Sequence, residues 1–308
     1  MIRRGNGTEV SVILPCYHSD STLPSCLRAL ERQSFREFEV IAVDSTPGRT
    51  SEAMEAWTRD FQGVRFIHNA SRLLPHGARN LGAQHTRARL LVFTDPDIYP
   101  RPDWLERLTA AHREFGGVIA GAIECHDGSW LDRGVHLAKF DSWLPAGLPR
   151  STLIAATGNM LCPRDIFEKM GRFPAEHMLG DTLFSWKLVR GEVPITFEPR
   201  AVVEHDHRSG PGNLLRERFQ RGREFGELRS RWEGWSAGRI VLQLGLTLLP
   251  FRLTKHLLRT AANAFRARAG LALMTAFPVV VAGATAWLAG EARAYAEAAA
   301  VMWKRPGE

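Results

Sequence analysis

Short apolar runs alternate with helical patterns over roughly the first 120 residues of the chain. Continuous β-branched runs indicate strands, whereas leucines three or four residues apart, such as Leu23, Leu27 and Leu30, indicate helices. The predicted strands are Val10–Leu14, Glu39–Val43, Val64–Ile67 and Leu90–Phe93, and the predicted helices start near Leu23, Glu52 and Ala78. This alternation predicts an α/β fold, a Rossmann-like and mostly parallel sheet with flanking helices.

The middle of the chain mixes shorter elements and is predicted to complete the same domain, because it contains no repeat and no low-complexity linker. A long arginine-rich helix, Leu214–Trp232, is expected after it. We therefore predict a catalytic domain over 1–210 and a helical region over 211–308. The strands predicted in the middle are Gly117–Ile123, Leu153–Ala156, Ile195–Phe197 and Ala201–Val203, and the helices are Asp165–Met170 and Thr182–Arg190.

Charge is distributed unevenly along the 308 residues. The net charge of +7 combines a nearly neutral body, −2 over residues 1–207, with a tail of +9 over residues 208–308. A basic tail indicates an anionic partner, either a membrane or a nucleic acid. The four cysteines form no Cys-x-x-Cys pair, and the sequence opens without an apolar signal segment, which predicts a reduced, cytosol-facing protein.

Two uncharged stretches in the tail decide between these partners. Ile240–Phe251 is too short to span a bilayer, whereas Ala269–Gly290 is long enough. One interpretation is a buried helical hairpin. The interpretation that we favour is a membrane-associated hairpin whose basic connection contacts anionic lipid head groups, with no nucleic acid involved. The basic residues of this connection are Arg252, Lys255, Arg259, Arg266 and Arg268, and no acidic residue lies among them.

Acidic residues follow two of the predicted strands. Asp44 ends one strand, and Asp95 and Asp97 flank a proline directly after another. In parallel sheets, ligands bind beyond the carboxyl ends of the strands. Two carboxylates in such a turn can hold a divalent cation together with phosphate oxygens, although Asp-Pro turns also end strands without any ligand.

Several motifs in order resemble the large family 2 of inverting glycosyltransferases, which have a GT-A fold. The resemblance covers about residues 8–210. The motifs are Val10–Tyr17, Val43-Asp44-Ser45, Gly77–Gly82, Asp95-Pro96-Asp97, Thr157–Met160 with Arg164, Met170–Phe173 and Gly180–Leu188.

This resemblance implies a nucleotide-sugar site for a UDP- or GDP-sugar. Asp44 would contact the base, Asp95 the ribose, and Asp97 a divalent metal, Mn²⁺ or Mg²⁺, on the donor diphosphate. Pro15 and Tyr17 would also line the donor site. Arg79, in a helix opened by Gly77, would face the donor phosphates.

Two further positions match the family. Asp181 corresponds to the catalytic base that deprotonates the acceptor hydroxyl, although a helix N-cap is the structural alternative. The family often has Glu-Asp where this chain has Gly180-Asp181. His205 corresponds to a histidine that completes the metal site, and His207 would share its face if the strand continued.

The predicted function is metal-dependent, inverting glycosyl transfer at the cytoplasmic face of the cell membrane, in the synthesis of a cell-surface polysaccharide or glycolipid with an unknown acceptor. Gln220 and Arg223 lack the following tryptophan of processive family members, which argues against a polymer synthase. Two alternatives stay open: a sugar-nucleotide pyrophosphorylase, and a catalytically inactive membrane scaffold with the same fold.

Overall fold

The computed structural model describes residues 8–61, 63–126, 128–207 and 211–303, and these divide into two compact units. The sheet unit holds the residues up to His126 together with Gly147–Asp206. The helical unit holds the intervening segment up to Ala146 and the residues from His207 onward. The domain boundary at residue 210 stays a prediction. The structure groups residues 128–146 with the C-terminal helices.

In the described part of the sheet unit, nine strands form one mixed sheet, in the order β3-β2-β1-β4-β8-β6-β9-β5, with β7 paired to β9. β1 to β4 run parallel, as do β6 and β9, whereas β5, β7 and β8 are antiparallel to their neighbours. The predicted mostly parallel α/β sheet is therefore confirmed. The strands are β1 Val10–Cys16, β2 Phe38–Asp44, β3 Val64–His68, β4 Leu90–Phe93, β5 Ile98–Pro100, β6 Val118–Cys125, β7 Arg150–Ser151, β8 Met160–Pro163 and β9 Ile195–His205.

Eleven α-helices complete the described part of the chain. The sheet unit contains six of them, and α5 and α8–α11 form the helical unit. The helices are α1 Leu23–Glu31, α2 Ser51–Asp60, α3 Pro75–Gln84, α4 Trp104–Phe115, α5 Trp130–Phe140, α6 Arg164–Lys169, α7 Gly180–Arg190, α8 Pro211–Trp232, α9 Ala237–Leu248, α10 Pro250–Arg266 and α11 Gly270–Trp303.

The central strands β1 and β4 are buried along their whole length, as expected for parallel strands covered on both faces. Helix α3 lies so close to the sheet that a Cβ at Gly82 would come within 2.5 Å of the Ile13 side chain. Glycine is therefore required at this position, and the close packing fixes where α3 presents its other residues.

The prediction was wrong in the middle of the sheet unit. Leu153–Ala156 is not a strand, and Leu153 is exposed; the antiparallel strand is β8, a few residues later. The two strands predicted around residue 198 are a single strand, β9. Its register against β6 shifts at Gly121, and the Glu198 carboxylate accepts from the Arg200 backbone N–H at 2.9 Å within that bulge.

In the helical unit, α8 and α11 pack with very small residues between them. A Cβ at Gly290 would lie 2.0 Å from the Phe219 carbonyl oxygen, and one at Gly222 would lie 2.1 Å from the Trp287 carbonyl oxygen. The first predicted apolar stretch breaks at Leu249, because Pro250 starts α10. The second lies within α11, which is long and apolar enough to cross a membrane, although 39% of its most apolar window is buried within the protein.

Candidate functional site

Asp97 lies opposite His205, because β5 pairs with the end of β9. Ile98 is the direct partner of His205 in this ladder, and the Asp206 backbone N–H donates to the Asp97 carbonyl at 2.9 Å. The Asp97 Oδ2 and His205 Nε2 atoms are 3.9 Å apart. The structure thus brings together the two residues predicted to bind metal.

This spacing fits a shared divalent ion. Two ligand atoms that each lie about 2.2 Å from one ion can be up to about 4.4 Å apart, so 3.9 Å is within reach. A carboxylate combined with an imidazole favours Mn²⁺ over Mg²⁺. Two protein ligands leave the other coordination positions for diphosphate oxygens and water.

Asp95, two residues before Asp97, forms an ion pair with Arg79 from α3. The Arg79 side chain is buried, and its Nε has no hydrogen-bond partner among the described residues. A buried guanidinium with a spare donor suits an anionic ligand. Asp95 also lies beside Gly158, where an added Cβ would be 3.7 Å from Asp95 Oδ2.

The turn Thr157–Asn159 connects Asp95 with Asp181. Gly158 adjoins Asp95, and the Thr157 backbone N–H donates to Asp181 Oδ2 at 3.3 Å. Asn159 anchors the turn, since its Nδ2 donates to the carbonyls of Ala122 and Ala201 at 2.8 and 2.9 Å. One anchored turn therefore lies beside both carboxylates and donates a hydrogen bond to that of Asp181.

Asp181 is not the N-cap of α7. Leu179 takes that position, and Asp181 is the second residue of the helix. Its Oδ1 accepts from the Thr182 backbone N–H at 2.8 Å, and the amide at Thr157 binds the other oxygen. The capping alternative is thus wrong, while a carboxylate in the first turn still gains from the helix dipole.

His76 is a site residue that the sequence analysis missed. Its buried ring lies between Arg79 Nη1, 3.5 Å from Nδ1, and the Asp181 backbone N–H, 3.3 Å from Nε2. Burial, and after it the charge of Arg79, lower the pKa of His76 to about 4. A neutral imidazole has one acceptor nitrogen, so Nδ1 accepts from Arg79 while the Nε2–H donates to the Met178 carbonyl just before α7, at 3.3 Å. No sequence signal marks it, since its neighbours come from distant segments.

The same ring explains Gly180. A Cβ there would lie 2.6 Å from the His76 Cδ2 and 2.7 Å from the Pro174 carbonyl oxygen. The space for a side chain before Asp181 is filled by histidine. The departure from Glu-Asp is thus a packing feature of this chain and leaves the Asp181 carboxylate in place.

Asp44 is enclosed by its own loop. Its side chain has 0% exposure and accepts from Thr46 Oγ1 at 2.8 Å and from Arg49 Nε at 3.3 Å, with His68 Nδ1 at 3.0 Å. Arg49 also bonds Asp20, and this bond lowers the pKa of the Asp20 carboxyl. The contact of Asp44 with the donor base stays a prediction. A direct contact would require the side chains bonded to Asp44 to rearrange.

Tyr17 follows β1, which contains the buried Pro15. Its ring is partly exposed and lies under the Arg72 guanidinium, 4.6 Å from the ring centroid to Cζ. An exposed aromatic ring next to a cation offers a surface for a planar base.

His207 lies outside β9, because this strand ends at His205. The expectation that His205 and His207 share one strand face is therefore wrong. The His207 Nε2 atom is 2.9 Å from Nδ1 of His136.

Comparisons with known proteins agree with this fold. Residues 11–171, about half of the chain, match glycosyl transferase family 2. Two curated relatives are the glycosyltransferase AglE of Haloferax volcanii, 25% identical with 76% of each chain covered, and the O-antigen chain rhamnosyltransferase RfbN of Salmonella typhimurium, 23% identical with 83% of this chain and 87% of the relative covered.

Among solved structures, the mannosyltransferase PcManGT from Pyrobaculum calidifontis, in complex with GDP-Man and Mn²⁺, has the same fold. The TM-score is 0.58 at 19% sequence identity, and the match covers 97% of this chain and 88% of that chain. The predicted GT-A fold and the family resemblance are both confirmed.

Proposed function

The chain belongs to glycosyl transferase family 2, and from this premise we propose that it catalyses metal-dependent, inverting transfer of a sugar from a UDP- or GDP-sugar to an acceptor hydroxyl. Its similarity to curated glycosyltransferases indicates that it is a glycosyltransferase of glycan synthesis. A cell-surface polysaccharide or glycolipid is the product class that we propose. The neighbour with bound GDP-Man and Mn²⁺ supports a nucleotide-sugar donor and a divalent ion.

The observation that carries the proposal is the pair formed by Asp97 Oδ2 and His205 Nε2, 3.9 Å apart and close to Asp95. In this proposal Asp97 and His205 hold the ion, Asp95 binds the ribose, and Arg79 holds Asp95 in place. A divalent ion at this position would stabilise the charge that develops on the leaving diphosphate.

Asp181 is the proposed general base. Its carboxylate accepts the proton of the acceptor hydroxyl while that oxygen forms a bond to the anomeric carbon. The bond from this carbon to the diphosphate oxygen breaks on the opposite face, and the nucleoside diphosphate leaves with the electron pair. One displacement of this kind inverts the configuration. The backbone amides at Thr157 and Thr182 donate to the carboxylate and orient it.

The donor base is proposed to bind beside Tyr17 and the chain at Pro15. The partly exposed Tyr17 ring supports this position. Asp44 supports it indirectly, because its bonds to Thr46 and Arg49 order the loop that follows β2. We also propose that the protein works at the cytoplasmic face of a membrane with anionic lipids, which the basic, apolar tail supports.

The proposal is tested with purified full-length protein and a panel of UDP- and GDP-sugars. Nucleoside diphosphate release should depend on one donor class and on added Mn²⁺, and EDTA should stop it. Formation of a nucleoside triphosphate from pyrophosphate would instead identify a pyrophosphorylase. Donor binding without any turnover would identify an inactive scaffold.

The metal assignment is tested by Asp97→Ala, which should abolish Mn²⁺-dependent turnover and weaken Mn²⁺ binding. Asp103→Ala is the matched control, because Asp103 is a half-exposed carboxylate that pairs with Arg107 across one helical turn, away from the proposed site. This control should retain wild-type turnover. An Asp97→Ala enzyme with unchanged Mn²⁺ dependence would exclude Asp97 as a ligand.

A further inference from the structure

Helix α9 buries two polar residues together with Ile240, while several of its apolar residues lie outside. Gln243 and Thr247 are 5% and 4% exposed, whereas Val241, Leu242 and Leu246 face outward and are exposed. A helix on a water-soluble protein shows the reverse arrangement. Such an inversion indicates that the surroundings of the outer face are apolar.

The buried polar side chains of α9 belong to a connected network. Arg252 of α10 donates to Gln243 Oε1 and, at 2.7 Å, to Thr247 Oγ1. The same guanidinium pairs with the buried Glu291 of α11 at 2.6 Å, and the Tyr295 hydroxyl donates to Glu291 at 2.8 Å. Hydrogen bonds and an ion pair therefore stabilise the interior where α9, α10 and α11 meet. Apolar side chains of α9 lie on the outer face instead.

The exposed apolar surface continues from α9 across the turn into α10. Leu248 and Phe251 are each 70% exposed, and Leu249 lies between them. On α10, Phe251, Leu258 and Phe265 recur every seven residues and therefore share one exposed stripe. We call the exposed apolar residues from Val241 to Phe265 the apolar corner. In the described part of the sheet unit, only Leu148 and Leu153 are large apolar residues that are more than half exposed.

Charge complements this surface. No acidic residue occurs between Gly234 and Gly290, a segment that carries six lysine and arginine residues. Lys255 and Arg266 are exposed on α10 and follow the apolar stripe at an offset of roughly 60–80° around the helix. A basic edge along an apolar stripe is the pattern of a helix in the plane of an anionic membrane surface.

We propose that the apolar corner inserts into one leaflet of an anionic lipid bilayer, with α9 and α10 lying in the interface. This inference specifies how the membrane location included in the proposed function is achieved. It does not depend on the sugar donor or on the chemistry at Asp181.

The contacts of α11 argue that this helix does not cross the bilayer. From Gly283 onward it packs against α8, whose 22 residues include six arginines and three glutamates. Charged helices of this kind are excluded from hydrocarbon. The part of α11 before Gly283 is roughly 13 residues or about 20 Å long, less than the ~30 Å of a bilayer core.

The first test is co-sedimentation of full-length protein with vesicles of equimolar phosphatidylcholine and phosphatidylglycerol. The double substitution Leu248→Glu and Phe251→Glu should lower the bound-to-free ratio at least about tenfold. Leu153→Glu is the matched control, since it makes the same change at an exposed leucine of the sheet unit and should have no effect. Lys255→Gln with Arg266→Gln should weaken binding to these vesicles but not to pure phosphatidylcholine. Equal binding by the apolar-corner variant and wild type would overturn the proposal.

A second test separates interfacial binding from the alternatives. In sealed inverted membrane vesicles, cysteines introduced at Ser236 and Met302 should both react with a membrane-impermeant reagent. Protection of either would mean that the chain spans the bilayer. Wild-type protein that forms a dimer without binding vesicles, and becomes monomeric with Leu248→Glu, would instead assign the surface to a second copy. Donor turnover in detergent reports separately on the proposed function and should be the same in all these variants.

Discussion

Asp181 lies in the first turn of α7 and accepts hydrogen bonds from two backbone amides. Its structural role, accepting these bonds, can be tested separately from its proposed chemical role, accepting a proton. An asparagine keeps an oxygen acceptor for one of these amides but cannot take a proton from the acceptor hydroxyl. Asp181→Asn should therefore lower turnover by about 100-fold or more, while donor binding and the free energy of unfolding change little.

The matched control for this substitution is Asp165→Asn. Asp165 is the second residue of α6 and is exposed, so the change removes an equivalent charge from an equivalent helix position. Turnover should stay at the wild-type level in this variant. If Asp181→Asn transfers sugar as fast as Asp165→Asn, Asp181 only fixes the turn at Thr157.

His76 makes the stability of the sheet unit depend on pH. The fold keeps this imidazole neutral with a pKa of about 4, whereas the unfolded chain binds the proton near its ordinary value of 6.5. Stability from this group is complete above pH 6.5 and declines as the pH falls toward 4, by at most about 3 kcal/mol.

Denaturant unfolding measures this effect when the wild type and His76→Gln are compared between pH 7.5 and pH 4. The pKa values of the folded and unfolded states set this range. The difference in unfolding free energy should shift in favour of the variant as the pH falls. Parallel curves for the two proteins would show that burial and the charge of Arg79 do not hold the imidazole neutral.

At the scale of elements, the α8–α11 contact depends on glycine. A Cβ at Gly290 would meet the backbone of α8, which cannot move aside as a side chain can. Gly290→Ala should therefore lower the free energy of unfolding by about 1–3 kcal/mol. Gly245→Ala in α9 is the control, because nothing lies within 4 Å of an added Cβ there. This substitution should raise stability by up to about 1 kcal/mol, since alanine favours the helix.

Unfolding in mild detergent, followed by circular dichroism at the helix band, distinguishes the two glycine substitutions. Equal stabilities for both variants would contradict the close α8–α11 packing. The opposite signs expected here come from the same change in side chain, so they isolate the effect of the helix contact.

The elements that could be predicted well from the sequence are those whose own residues show a clear apolar pattern. β1, β2 and β4 are largely apolar and almost wholly buried because both faces of the parallel sheet are covered. β8 and β5 were missed because short antiparallel strands acquire their identity from partners distant in sequence, such as β4 and β9. The same limit applies to the site. The carboxylates at strand ends could be predicted, whereas the enclosure of Asp44 and the position of His76 depend on tertiary contacts with Arg49, Arg79 and Gly180.

At the scale of the whole molecule, charge and apolar surface make separable contributions to membrane attachment. In the membrane location that we propose, the tail of +9 would draw the protein to anionic lipids, but exposed charges are screened beyond ~10 Å at 0.1 M salt and beyond ~3 Å at 1 M. Apolar side chains such as Leu248 and Phe251 are unaffected by screening. When cell membranes that contain the full-length protein are washed at high salt, the protein should stay in the pellet. A mild detergent should then release it.

Comparing the wash of wild type with that of the Leu248→Glu, Phe251→Glu variant shows which contribution dominates. The variant keeps most of the basic charge and should therefore still bind at low salt, but the high-salt wash should release it. This outcome would establish that electrostatics recruits the protein and that the apolar corner retains it. Full-length wild type that remains soluble and monodisperse without detergent would show that these side chains face protein rather than lipid, and the membrane location would have to be abandoned.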